Sequence, residues 1–127
     1  MIHRGLGGWM NVLLLYVRSG QPDLTNRQMA MLLLVYLEPG PHTVRALAHT
    51  LGVSKPVVTR ALNSLGSLGY LERVRDDADR RNIFIAQTRI GREFLERFGR
   101  TIEQQERLPS GAVGIPPRDN VVRFQHG

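Results

Sequence analysis

The spacing of apolar residues changes character along this chain. Over residues 9–18 the apolar positions are nearly continuous, and a helix that is apolar almost all round has to be buried. Gly5, Gly7 and Gly8 stand before it and disfavour helix. Gly20, Gln21, Pro22 and Asp23 follow it and read as a turn. Thr25 is placed to cap a helix over residues 26–37, rich in Met and Leu, and Glu38-Pro39-Gly40-Pro41 ends it because proline cannot continue a helix. Thr43 caps a short helix over about residues 44–51, Gly52-Val53 makes a tight turn, and Ser54 caps a helix over about residues 55–65.

Beyond Gly69 the pattern becomes that of strands. Residues 70–74 and 82–86 are short and rich in β-prone side chains, and they flank the charged stretch 75–81, as in a hairpin. Thr88 then caps a long helix to about residue 108. Its Glu93–Arg97, Glu96–Arg100 and Glu103–Arg107 pairs, each four residues apart, mark a solvated face. Residues 109–127 hold Pro109, Gly111, Gly114, Pro116 and Pro117 and read as a flexible tail. The expected organisation is an N-terminal helix in 1–23, a central domain in 24–87, a C-terminal helix in 88–108 and the tail in 109–127.

The middle of the chain carries the functional signal. Two helices meeting at a steep angle need a small residue at their contact, a glycine in the turn and apolar anchors on the second helix. Ala48, Gly52 and the set Val58, Ala61, Leu62, Leu65 meet those needs, the last four at the i, i+3, i+4, i+7 spacing of one helix face. With that face inward, Lys55, Pro56, Thr59, Arg60 and Asn63 face outward. The fold class expected is mainly α with a small β-hairpin wing, a winged helix-turn-helix. Ser54 sits where N–H groups and the helix dipole favour phosphate. Arg60 has the donors for a guanine edge, Asn63 could pair with adenine, and the Thr59 methyl could meet that of thymine. Around the hairpin tip Arg73, Arg75, Arg80 and Arg81 alternate with Asp76, Asp77 and Asp79, and a basic tip of this kind suits a narrow minor groove. The competing readings are a capped helical hairpin in an ordinary helical protein and a solvated charged turn.

Composition agrees without deciding. The 127 residues fit one domain. The formal charge is +6 and the pI about 11.0, and Lys55 is the single lysine among the 17 basic residues. That excess favours a polyanionic partner. The absence of cysteine excludes disulfides and thiolate metal sites, and His3, His42, His49 and His126 lack ligand spacing. No nucleophile–base pair, paired acids or phosphate-binding glycine loop points to an enzyme, and no cofactor is implied. The longest apolar stretch is far too short to span a bilayer, and no cleavage site follows it, so a cytoplasmic protein is expected.

In combination these residues resemble the MarR family. The matching pattern runs Leu24-Thr25-x-x-Gln28, Thr43-Val44-x-x-Leu47-Ala48, Leu51-Gly52-Val53-Ser54-Lys55-Pro56, Thr59-Arg60, Gly69-x-Leu71-x-Arg73, Asp79-Arg80-Arg81 and Thr88-x-x-Gly91. The resemblance implies a transcriptional regulator that binds double-stranded DNA as a homodimer, often a repressor released by a small phenolic effector; which effector, if any, this chain would take is not legible. It implies that the helix after Ser54 enters the major groove and that Asp79 ties down Arg81, leaving Arg80 to project. Gln87 stands where the family usually has leucine, and Asp77 where it commonly has proline. The family dimerises through its first helix and two C-terminal helices, and this chain offers one C-terminal helix before its Pro/Gly segment. Trp9, Leu13, Tyr16, Val17, Phe94, Phe98 and Ile102 are the expected dimerisation residues, packing within one monomer being the alternative. The rival function is a winged-helix module that binds protein, with Arg118, Arg123 and Phe124 in a docking peptide.

Overall fold

The computed structural model describes residues 2–106, so the expected tail at 109–127 and its docking residues lie outside the described part. The elements are α1 (Ile2–Arg18), α2 (Asn26–Leu37), α3 (Val44–Leu51), α4 (Lys55–Ser67), β1 (Leu71–Arg75), β2 (Ile83–Gln87) and α5 (Arg89–Glu106). The chain divides into two compact units, Pro22–Phe98 and Met1–Gln21 with Gly99–Gly127, so α5 contributes one half to each. Among the described residues no helix is long and apolar enough to cross a membrane.

In the unit Pro22–Phe98, local capping sets the helix limits. The Thr25 hydroxyl accepts from the Gln28 N–H at 3.1 Å while the Gln28 side chain accepts from the Thr25 N–H at 2.9 Å. This reciprocal box satisfies two otherwise orphaned donors. Thr43 accepts from Ala46 N–H at 3.1 Å in the same way for α3. Helices α3 and α4 then end alike. Gly52 (φ 69°) and Gly69 (φ 79°) take the left-handed conformation, and the residue after each bonds back five positions, Val53 to Ala48 O at 3.1 Å and Tyr70 to Leu65 O at 2.9 Å. Such closure satisfies the last carbonyls of a helix.

This second closure explains two boundary differences from the sequence reading. Gly69, not Leu65, stops α4, so the helix runs on to Ser67. Tyr70 gives its N–H to the helix end, so strand pairing starts one residue later, at Leu71. On the other strand Asn82 is held in the turn, donating to Asp79 O and accepting from Asp76 N–H, each at 2.9 Å, and β2 starts at Ile83. The strands are antiparallel, with Leu71 opposite Gln87 and Arg75 opposite Ile83. His42, in the α2–α3 connection, adds a single bridge to Ile85.

The core of this unit is built from Met31, Leu32 and Val35 of α2, Leu47 and Ala48 of α3, the α4 stripe, and Leu71 and Ile85 of the hairpin. Phe94 is 1% exposed and stacks on Tyr70, ring centroids 4.5 Å apart. Phe94 is therefore a core residue and cannot also present a surface to a partner, as the sequence reading had it. Burial pushes the Tyr70 phenol up, with the Arg97 charge acting in the opposite sense.

The other unit departs most from the sequence reading. Helix α1 begins at Ile2 rather than near Trp9 and continues through all three glycines. At Gly8 a Cβ would lie 3.2 Å from Oε1 of Gln105, the far end of a flexible side chain. Asn11 is buried, and among the described residues neither polar atom of its amide has a hydrogen-bond partner. Leu6, Trp9, Met10, Leu13 and Val17 are exposed and recur at i, i+3, i+4, i+7 and i+11, which places them on one face of α1.

Candidate nucleic-acid interface

The outward face of α4 is fixed by what its inward face buries. Val58, Ala61, Leu62 and Leu65 are all buried, Leu65 with no exposed surface. Lys55, Pro56, Thr59, Arg60 and Asn63 are consequently all exposed. Ser54 adopts the extended backbone of a cap, but its hydroxyl makes no hydrogen bond to the helix, contrary to expectation. Pro56 removes one first-turn donor of its own accord. The Ser54 hydroxyl is therefore not committed to holding the start of α4.

Strand alternation positions the wing arginines. Leu71, Arg73 and Arg75 share one face of β1, and because Leu71 is buried, that face turns toward α4. Arg73 donates from Nη2 to the Asn63 side-chain oxygen at 2.8 Å, joining β1 to α4. Asn63 is thereby bound to the wing through its carboxamide oxygen, the same atom that would accept from an adenine edge. Arg75 donates from Nη1 to the Arg80 carbonyl at 2.7 Å, bracing the tip.

The aspartates interleaved with the arginines shape the turn. Asp76 accepts from the Ala78 N–H at 2.9 Å and Asp79 from the Arg81 N–H at 3.1 Å, each a side chain bonding backbone two residues on. Asp79 also takes the Arg81 guanidinium, at 3.1 and 3.3 Å. Arg81 is 90% exposed, so the pair is solvated and its value is geometric. Arg80 is exposed, and the group it gives to Arg75 is its carbonyl rather than its guanidinium.

The Arg81 side chain, and after it the Arg81 N–H, hold the Asp79 carboxyl below its ordinary value. A carboxyl lowered in the folded state adds stability above its unfolded-state value and loses it as pH falls through the folded-state value. The wing is thus intact at neutral pH and loosens only in acid. The Arg81 backbone amide resonance is expected to shift with a midpoint below about pH 4, and Asp79→Asn should abolish that step. A midpoint above the normal carboxylate range would show that Asp79 is not held by Arg81.

One group of residues escaped the sequence reading because its members are far apart in the chain. The Tyr36 hydroxyl donates to Tyr70 O at 2.7 Å and accepts from Thr88 N–H at 2.9 Å, and the Thr88 hydroxyl donates to Gly69 O at 2.6 Å while accepting from Gly91 N–H at 2.9 Å. This knot fastens the end of α4 to the start of α5. Gln87, the family departure, joins it by donating to Val35 O at 3.2 Å. Leu6 also escaped, since a helix taken to start at Trp9 leaves it out; Met10 lay within that helix but was not singled out. Among the expected dimerisation residues, Trp9, Leu13 and Val17 are exposed, while Tyr16, Phe98 and Ile102 are half-buried.

A helical hairpin closed at a left-handed glycine, an exposed polar second helix and a basic two-stranded hairpin beside it together define a winged helix-turn-helix protein. The sequence model of the MarR family matches residues 23–82 of this winged helix-turn-helix chain. Over 90 residues the chain is 29% identical to the uncharacterized HTH-type transcriptional regulator YwhA of Bacillus subtilis (strain 168), covering 71% of this chain and 63% of that protein. The crystal structure of a transcriptional regulator from Thermotoga maritima is 34% identical with a TM-score of 0.63, over 75% of this chain and 64% of that one. A MepR mutant of S. aureus, bound to an oligodeoxyribonucleotide, is 27% identical with a TM-score of 0.62, over 66% of this chain and 62% of that one. The chain therefore spans somewhat less than two thirds of the length of these relatives.

Proposed function

We infer that this chain is a sequence-specific regulator of transcription that binds double-stranded DNA as a homodimer and acts as a repressor. The observation that carries the reading is the display of Lys55, Thr59 and Arg60 on the exposed side of a helix whose other side is anchored in the core. A short polar and basic helix held in this way fits the major groove, and the wing beside it suits the adjoining minor groove. The similar MepR mutant, bound to an oligodeoxyribonucleotide, supports DNA as the partner. The apolar stripe on α1 supports a homodimer, because five large apolar side chains on one exposed face are costly to leave in water. A symmetric dimer presents two recognition helices, suited to half-sites about 10 bp apart. Occupying such a site obstructs transcription without any further activity.

Selection of genomic fragments at physiological salt, followed by footprinting, tests this. A two-fold symmetric motif is expected, with affinity falling steeply as salt is added. Binding that ignores salt would point to a protein partner and overturn the reading. Within the selected motif, Arg60→Ala should cost about 1–3 kcal/mol and blur the preference at one base position. A loss uniform across all sequences would instead place Arg60 on phosphate.

A further inference from the structure

Between the C-terminal half of α4 and β1 runs an open crevice of about 500 Å³, bordered by Asn63, Gly66 and Ser67 on one side and Leu71 and Arg73 on the other. We propose that this crevice seats the phosphodiester strand separating the two grooves, that Arg73 is its phosphate clamp, and that Asn63 is the residue positioning Arg73 rather than a reader of bases. The proposal rests on the DNA-binding reading above.

The argument starts from groove geometry. A helix in the major groove and a wing tip in the neighbouring minor groove straddle the sugar-phosphate strand dividing those grooves. The strand must then pass over the gap between α4 and β1. Arg73 is exposed there, on the face of β1 that turns toward α4. One of its N–H groups goes to Asn63 at 2.8 Å. A guanidinium has five donors in a planar fork, so the others remain for phosphate oxygens. The Asn63 bond removes much of the rotamer freedom of a long side chain before DNA arrives, which lowers the ordering cost of binding.

The neighbours are consistent with this assignment. The Ser67 hydroxyl is spent on the Asn63 carbonyl at 2.9 Å, so it stabilises the helix under Asn63 rather than competing for the strand. Glu72 also borders the crevice, but strand alternation puts its side chain on the opposite face of β1 from Arg73. Arg75 and Arg81 make their side-chain bonds within the wing tip, to the Arg80 carbonyl and to the Asp79 carboxylate. Arg73 alone among these three bridges wing and recognition helix.

The test uses the whole chain, the selected operator and a scrambled duplex of the same length, with binding measured over a salt series. Arg73→Gln should weaken binding to both duplexes alike, by about tenfold at physiological salt, and reduce the salt slope by about one per protomer. Asn63→Ala should weaken binding about threefold, leave the preferred sequence unchanged, and cause no further loss when combined with Arg73→Gln. Both side chains are exposed, so the variants should keep the wild-type far-UV spectrum and melting temperature. An unchanged salt slope in Arg73→Gln would overturn the clamp. A changed base preference in Asn63→Ala, or losses that simply add, would overturn the positioning role. If the wild-type chain itself binds neither duplex, it is the DNA-binding reading that fails, and the clamp falls with it.

Discussion

Gly91→Ala is expected to destabilise the winged unit by about 3 kcal/mol or more, among the largest effects of any single methyl group in the chain. The added Cβ would overlap both the Tyr36 hydroxyl and the Tyr70 carbonyl oxygen. Neither atom can easily give way. The carbonyl belongs to the backbone leaving the closure of α4, and the hydroxyl is held between Tyr70 O and Thr88 N–H. Making room means breaking bonds among part-buried polar groups as well as straining the packing. Gly99, eight residues further along the same helix, has nothing among the described residues within 4 Å of the equivalent position. Gly99→Ala should therefore raise stability by about 0.5–1 kcal/mol through helix propensity. Urea unfolding of the two variants reads both signs. A Gly91→Ala protein within about 1 kcal/mol of wild type would mean that the knot around Tyr36 is looser than its bond lengths imply.

The second large effect concerns assembly. Leu13→Asp, at the centre of the exposed α1 stripe, should convert the proposed homodimer to a folded monomer. In a two-fold interface each substitution appears twice, so two carboxylates would be buried without partners. Leu13 is 44% exposed in its own chain, and the substitution should leave the fold itself intact. Losing the second half-site contact should lower affinity for a paired site by about a hundredfold or more. Leu37→Asp is the control, since Leu37 is 73% exposed but lies outside the stripe. Sedimentation velocity and binding to paired and single half-sites provide the readouts. A Leu13→Asp protein that remains dimeric would remove α1 from the interface.

These two sites differ in how far the sequence reveals them. The glycine at 91 is part of a recognisable Thr-x-x-Gly spacing, yet the reason for it is Tyr36, which lies 52 residues from Thr88. The stripe on α1 is legible from Trp9 onward, but Leu6 joins it only because the helix continues back through the glycines. Pairing between Arg73 and Asn63 had no sequence signal either. Each residue taken singly has the chemistry of a DNA contact, and only their proximity assigns one to hold the other.

By itself the sequence determined the features that are decided within one or two helical turns. The Thr25 box, the Thr43 cap, the left-handed stop at Gly52 and the inward set Val58, Ala61, Leu62 and Leu65 depend on neighbours three or four residues away, and backbone hydrogen bonding and side-chain periodicity act over that range. The placement of α4 and its outward face followed from them. Tertiary structure decided whatever depends on close approach between distant segments: Phe94 stacked inward on Tyr70, the Tyr36 knot, and the bond between Asn63 and Arg73. Such contacts are made after the chain has folded back on itself, so packing, not local preference, selects them.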